Sequence, residues 1–323
     1  MNTKLTRQEI IDAVSQCGGT IPSFPDRGSW GQSSYRGNCS GYIQASLIWK
    51  YNVQKLAELF AGSGTGSDVA RDMGIAYIGA DLNPKPVRNN ILVVDATKDD
   101  VPTEFLDADM LFMHPPYGKE INIPYAGSMY PDPTGTLRQR DLGQMQWDTF
   151  MKELNAVIMK YYAAMAPGAR MSVLMGDVRR RGILHSMLCD IVKPGVMDQV
   201  LIKAQHNTVS GRNGNYGGFK GFYPIEHEYI MVIKKPGGYL ISFQLPKKIS
   251  VDIRDSVTAT WRDVVNTALK ELGGTADLST LYNAVDNYKR TTVNPHWQAK
   301  IRQTLQMYPC FKSVKTGVWA IAA

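Results

Sequence analysis

The stretch "ELFAGSGTGSDVA", Glu58 to Ala70, decides how the rest of the chain is read. An apolar run enters it, glycines stand at positions 62, 64 and 66, and a polar segment of helical composition leaves it. Glycines at such a turn let backbone approach a ligand closely, and the following helix offers free N–H groups in its first turn. A strand passing through a glycine turn into a helix opens a nucleotide-binding α/β unit, a signal that needs support from its surroundings.

That support lies on both sides. Downstream, "SDVARDMG" reads as a helix closed by Gly74, "IAYIGADL" as a strand, "NILVVDAT" as a short apolar run and "ADMLFMHPPYG" as the next strand. The second strand ends in Asp81, where a carboxylate can accept from ribose hydroxyls. Asp95 falls at the same sheet edge, in reach of an adenine amino group. Farther on, "WDTFMKELNAVIMKYYAAMAPG" is an amphipathic helix stopped by Pro167-Gly168, "ARMSVLMGD" a strand and "RRGILHSMLCDIV" a helix. "VMDQVLIKAQ" and "HEYIMVIKK" are strands around the glycine-rich "SGRNGNYGGFKGF". Upstream, "YIQASLIWKY" has helical spacing behind a Gly/Pro/Ser-rich loop. Alternating strands and helices predict an α/β domain with a largely parallel sheet. The segment from Lys119 to Gln144 has no periodicity, and structureless stretches of that length are usually functional loops.

Bulk composition sets outer bounds. A chain of 323 residues, 44% hydrophobic, supports one sizeable core and a small second domain, expected at 1–245 and 251–323. The net charge of +7 tilts partners toward polyanions. Cys17, Cys39, Cys189 and Cys310 are scattered without a C-x-x-C pair, and histidines do not cluster near them. Neither a disulfide framework nor a metal site is expected, which suits a reducing cytosol. No apolar signal core or membrane-length run is present, so the expectation is a soluble cytoplasmic protein with no membrane partner.

The stretch "LFMHPPYGKE", Leu111 to Glu120, adds chemistry. Two adjacent prolines cannot continue a strand, since neither offers an N–H and each fixes φ. The chain therefore leaves a buried strand rigidly, with His114 and Tyr117 at the exit. A glycine turn, an acid after the second strand and x-P-P-Y after the fourth together resemble the DNA N6-adenine/N4-cytosine amino-methyltransferases, over roughly residues 36–235. "GDVRRRG" and "EHEYIMVIKK" also resemble that family's later motifs.

The resemblance implies a Rossmann-like methyltransferase sheet with flanking helices and S-adenosylmethionine as cofactor. It implies cofactor contacts at Asn38, Cys39, Ser40, Glu58, Phe60, Gly62, Gly64, Thr65, Asp81, Leu82, Asp95 and Ala96. His114, Pro115, Pro116 and Tyr117 take the catalytic motif, in which acceptors hold the target amino hydrogens and the aromatic stacks on a flipped base. The family position matching His114 is usually Asp or Asn for adenine, and Ser or less often Asp for cytosine. A neutral imidazole can replace either acceptor, whereas a protonated one would repel the amino group. Arg138 and Arg140 are candidate phosphate contacts, and Tyr216, Phe219 and Phe222 are candidates to pack on the base.

Beyond about residue 251 the pattern changes to three helices and a β-like end, "FKSVKTGVWAIA", turned at Thr316-Gly317. "PHWQAKIRQTLQMY" is expected to be N-capped by Asn294 and to bury Trp297, Ile301 and Leu305. That spacing leaves Gln298, Lys300, Arg302 and Gln303 exposed, residue types that read bases and hold phosphates. The module resembles a winged helix-turn-helix domain. The expected function is methyl transfer to an exocyclic amino group of double-stranded DNA, adenine N6 foremost, with a homodimer or a restriction–modification partner compatible. The alternatives are an RNA or protein-glutamine methyltransferase, or a catalytically inactive DNA-binding regulator on the same fold.

Overall fold

A computed structural model describes residues 5–121, 123–206, 221, 223–237, 243–246 and 252–322. The chain forms two compact units, Met1–Pro246 and Lys247–Ala323.

In the first unit, β1 (Lys55–Leu59), β2 (Ala76–Asp81), β3 (Ile91–Val93), β4 (Met110–Met113) and β5 (Arg170–Met175) are parallel neighbours in the order β3-β2-β1-β4-β5. A hairpin follows, β6 (Asp177–Arg180) and β7 (Ile183–Ser186), then the short β8 (Lys193–Pro194). β9 (Val196–Ala204) and β10 (His227–Lys234) complete the sheet, with β10 antiparallel to both β5 and β9. β11 (Phe243–Gln244) pairs with β8. The expected α/β architecture is therefore present: a Rossmann-like, mostly parallel sheet of seven strands among the described residues.

β4 shows why these apolar runs are strands. Met110 and Phe112 join a core beneath the helices Arg7–Ser15, Gly41–Lys50 and Thr65–Met73, while Leu111 and Met113 join the core under Trp147–Ala164. Alternate side chains of one strand thus fill both layers, as a strand covered on both faces requires.

One expected helix is corrected. "RRGILHSMLCDIV" is helical only at Met187–Asp190; the preceding residues form the β6–β7 hairpin. Arg181 and Gly182, at φ 49° and 78°, supply the two left-handed positions of a tight hairpin turn whose twist matches the strands.

The second unit contains the helices Trp261–Glu271, Leu278–Val285, Lys289–Thr292 and Trp297–Met307. Its strands β12 (Thr275–Asp277), β13 (Phe311–Lys315) and β14 (Val318–Ile321) form one antiparallel sheet with β14 central. Val264, Leu269, Leu281, Ile301 and Phe311 are among its core. The Asn294 cap is corrected to His296: Asn294 Oδ1 accepts from the His296 amide at 2.9 Å, making a turn that precedes the helix. Trp297 is half-buried, edge-on to Tyr282, and Ile301 and Leu305 are buried. No helix among the described residues is long and apolar enough to cross a membrane.

Candidate active site

The C-terminal ends of β1, β2 and β4 open onto a cleft. Of the residues expected to hold a cofactor, Asn38, Cys39, Glu58, Phe60, Gly62, Thr65, Asp81, Leu82, Asp95 and Ala96 line it together. Gly64 does not. A Cβ there would meet Arg88 and Val87, so its glycine is required by its φ of 79° at the start of the helix Thr65–Met73. The close approach falls to Gly66, whose Cβ would lie 2.3 Å from Glu58 Oε2. Phe60, at φ 63°, carries strain of a kind that collects at functional sites.

Asp81 is buried and anchors the glycine turn: its Oδ2 accepts from the Gly62 amide at 2.8 Å and its Oδ1 from the Asn83 amide at 2.9 Å. Burial raises its pKa against those bonds. Glu58 accepts from Gln44 Nε2 and the Tyr77 hydroxyl, and burial foremost pushes its pKa up to about 8. Gln44 Oε1, also lining the cleft, is a buried acceptor with no protein partner, so a ligand donor there would satisfy it. Asp95 is already engaged, accepting from Thr97 at Oδ1 and from Arg140 Nη1 at Oδ2, 3.1 Å away. Arg140 thereby forms part of the wall of this cleft. Arg138 is exposed, with its guanidinium beside Gly127.

A second cavity adjoins the first and shares Gly37, Asn38, Cys39, His114 and Tyr125 with it. Ser40, Pro115 and Tyr117 line only this one, and Pro116 only the first. Ser40 Oγ donates to the Asp26 carbonyl. The catalytic stretch thus stands where the two cavities meet.

Behind it runs a chain of polar contacts. Tyr117 OH donates to Glu228 Oε1 at 2.7 Å, and Lys203 Nζ is ion-paired with Glu228 Oε2. Burial works against the Glu228 charge, but Lys203, His114 and Tyr117 outweigh it and hold the carboxyl at about 2. That carboxylate only accepts, so the Tyr117 proton is committed to it. His114 Nε2, 3.2 Å from the Tyr117 oxygen, must then be the donor of their bond. Its Nε2 carries the hydrogen and Nδ1 is left as the acceptor. Burial lowers the His114 pKa to about 4, so the ring is neutral near pH 7.

Several site residues were not legible in the sequence. Tyr125, Tyr130, Asp141 and Leu142 reach the first cleft from the aperiodic loop. Asp141 shapes that loop by accepting from the Ala126 and Gly143 amides at 3.0 and 2.8 Å. Glu228 and Lys203 are direct cross-strand partners on β10 and β9. Tyr216, Phe219 and Phe222 lie outside the described residues. On the second unit, Gln298, Lys300, Arg302 and Gln303 are all exposed on the helix Trp297–Met307.

No family model and no curated protein matches the chain. Among solved structures it is similar to TrmN from Thermus thermophilus, at 15% identity and TM-score 0.34 over 62% of this chain and 50% of that one. The chain therefore spans half the length of TrmN. It is similar to an RNA methyltransferase from Salinibacter ruber, crystallised with S-adenosyl-L-homocysteine, at 10% identity and TM-score 0.31 over 61% and 93%. The N-methyltransferase NodS from Bradyrhizobium japonicum gives 10% identity and TM-score 0.33 over 60% and 96%. At these values the likeness says nothing of substrate or mechanism.

Proposed function

We propose that this protein is an S-adenosylmethionine-dependent methyltransferase acting on an exocyclic amino group of duplex DNA, adenine N6 foremost. The observation that carries the reading is the meeting of two cavities at His114, one walled by buried acids and a glycine turn, the other by Pro115 and Tyr117. Asp81 suits ribose hydroxyls, the orphaned Gln44 Oε1 suits an ammonium donor, and Leu82 and Ala96 suit an adenine face. Bound there, the cofactor supplies an electrophilic methyl group on a sulfonium.

The residues of this chain then have definite tasks. An exocyclic amino nitrogen is a poor nucleophile, because its lone pair is conjugated into the ring. Acceptors for its hydrogens free that lone pair, and rigid ones need little reorganisation. His114 Nδ1 and the Pro115 carbonyl are the proposed acceptors, with the imidazole held in one tautomer through Tyr117 and Glu228. On alkylation the nitrogen gains a positive charge and must lose one proton, for which neutral His114 is the nearest base. The base has to leave the duplex to reach a cavity of this kind.

The exposed Gln298, Lys300, Arg302 and Gln303, with the small three-stranded sheet, support reading the second unit as a winged helix-turn-helix module that binds DNA. Tritiated-methyl transfer to duplex DNA, RNA and protein tests the whole reading. Label should enter duplex DNA and be recovered as a methylated base. Label on RNA or protein alone, or on nothing, would refute it.

A further inference from the structure

We propose that the β6–β7 hairpin is a ribbon that enters the major groove of duplex DNA beside the catalytic cleft. The inference deepens the proposed function and rests on it for a DNA substrate.

The root of the hairpin is part of the site. Gly176 joins β5 to β6, and a Cβ on it would lie 3.0 Å from the Tyr117 ring and 3.4 Å from Glu228 Cγ. Val178 is buried, and its cross-strand partner His185 packs on Trp147 with ring centroids 4.9 Å apart. The base of the ribbon is therefore fixed to the body of the domain.

The far end is built differently. Arg179 pairs with Leu184 and Arg180 with Ile183, and directly opposed residues share a face of a two-stranded ribbon. Each face near the tip thus carries one guanidinium and one aliphatic side chain. Arg179 Nη1 donates to the Gly182 carbonyl across the turn, bracing it. Ile183 is 61% exposed and Leu184 48%, while Arg180 and Arg181 stand exposed beside them. From Val178 to Ser186 there are three arginines and no acid.

Charge and shape select the occupant. The exposed guanidiniums of Arg180 and Arg181 call for a polyanion, and the aliphatic pair calls for one that also offers apolar surface. A four-residue strand extends about 13 Å at ~3.3 Å per residue. The major groove of B-form DNA, about 12 Å wide and ~8.5 Å deep, admits a two-stranded ribbon and presents thymine methyls to apolar side chains. The deep, narrow major groove of A-form RNA does not admit one.

Fluorescence anisotropy with the full chain, a random-sequence fluorescein-labelled DNA duplex and an RNA duplex of the same length tests this over a salt series. Each phosphate contact contributes about 0.9 to the slope of log affinity against log salt, so R180Q combined with R181Q should flatten it by up to about 1.8. I183S combined with L184S should weaken DNA binding several-fold and leave that slope unchanged. Both variants alter exposed positions and should melt with the parent. An unchanged slope in the arginine variant, unchanged affinity in the serine variant, or a parent that binds RNA duplex as well as DNA would overturn the proposal. Methyl transfer measured on the same DNA keeps the two readings apart. A flattened slope without transfer would sink the reaction and leave the ribbon, and transfer with an unchanged slope would do the reverse.

Discussion

Acid should destabilise this protein through His114 by an amount that can be worked out beforehand. Burial holds the folded-state pKa of the ring at about 4, against 6.5 for an ordinary histidine. The unfolded chain therefore takes up the proton first as pH falls. The stability that the neutral buried ring contributes is fully present above pH 6.5 and is lost as the pH drops from there through 4. At ~1.36 kcal/mol per pH unit, that gap amounts to about 3 kcal/mol. Urea unfolding of the parent and of His114→Gln, at about pH 7 and about pH 4, isolates the term, because every other titrating group is common to both. The parent should lose about 3 kcal/mol more than the variant over that interval. The activity of the parent should also keep its acid limb close to pH 4. Equal losses in the two proteins, or an acid limb at 6.5, would refute the buried neutral ring and the acceptor role built on it.

Asp81→Ala removes a carboxylate that holds the glycine turn and faces the proposed ribose position. Calorimetry should show affinity for S-adenosylhomocysteine falling by about 1–3 kcal/mol, with unchanged affinity counting against the cofactor cleft. Glu228→Gln strands the Lys203 ammonium, and urea unfolding should register a loss of about 3–5 kcal/mol, much of it recovered when Lys203→Met is added. No recovery in the double variant would mean that the ion pair is not what the single change breaks. Removing residues 247–323 should spare cofactor affinity yet reduce DNA affinity and its salt dependence; an identical salt slope would assign that unit to some other partner.

What could be read in the sequence follows from how local each signal is. β4 was legible because Met110 to Met113 is continuously apolar and ends at a histidine and two prolines. Asp81 and Asp95 were legible because acids at strand ends in an α/β unit share one edge of the sheet. The hairpin was misread because Ile183, Leu184, Met187 and Leu188 allow helical spacing, while the turn hangs on Arg181 taking a conformation that only its neighbour Gly182 adopts without cost. The aperiodic loop could be recognised as functional but not resolved into Tyr125, Tyr130 and Asp141, since no period orders its side chains. Glu228 and Lys203 meet only through the antiparallel register of β10 and β9, a non-local fact. One signal was available: a glutamate entering the apolar run "EYIMVI" is a buried charge in need of a partner.

The same pair explains why a histidine can stand where the resembled family usually holds an acid or an amide. An aspartate at 114 would bring a second carboxylate toward Glu228, whose ammonium partner is already engaged, and like charges in a closed site drive one of them to take up a proton. A protonated acid would donate where an acceptor is wanted. His114 avoids that conflict: the Glu228 and Lys203 charges cancel, Tyr117 passes the carboxylate's influence forward as a hydrogen-bond acceptor, and the imidazole presents a lone pair without adding charge. The acid of this site thus stands two hydrogen bonds behind the motif, on β10.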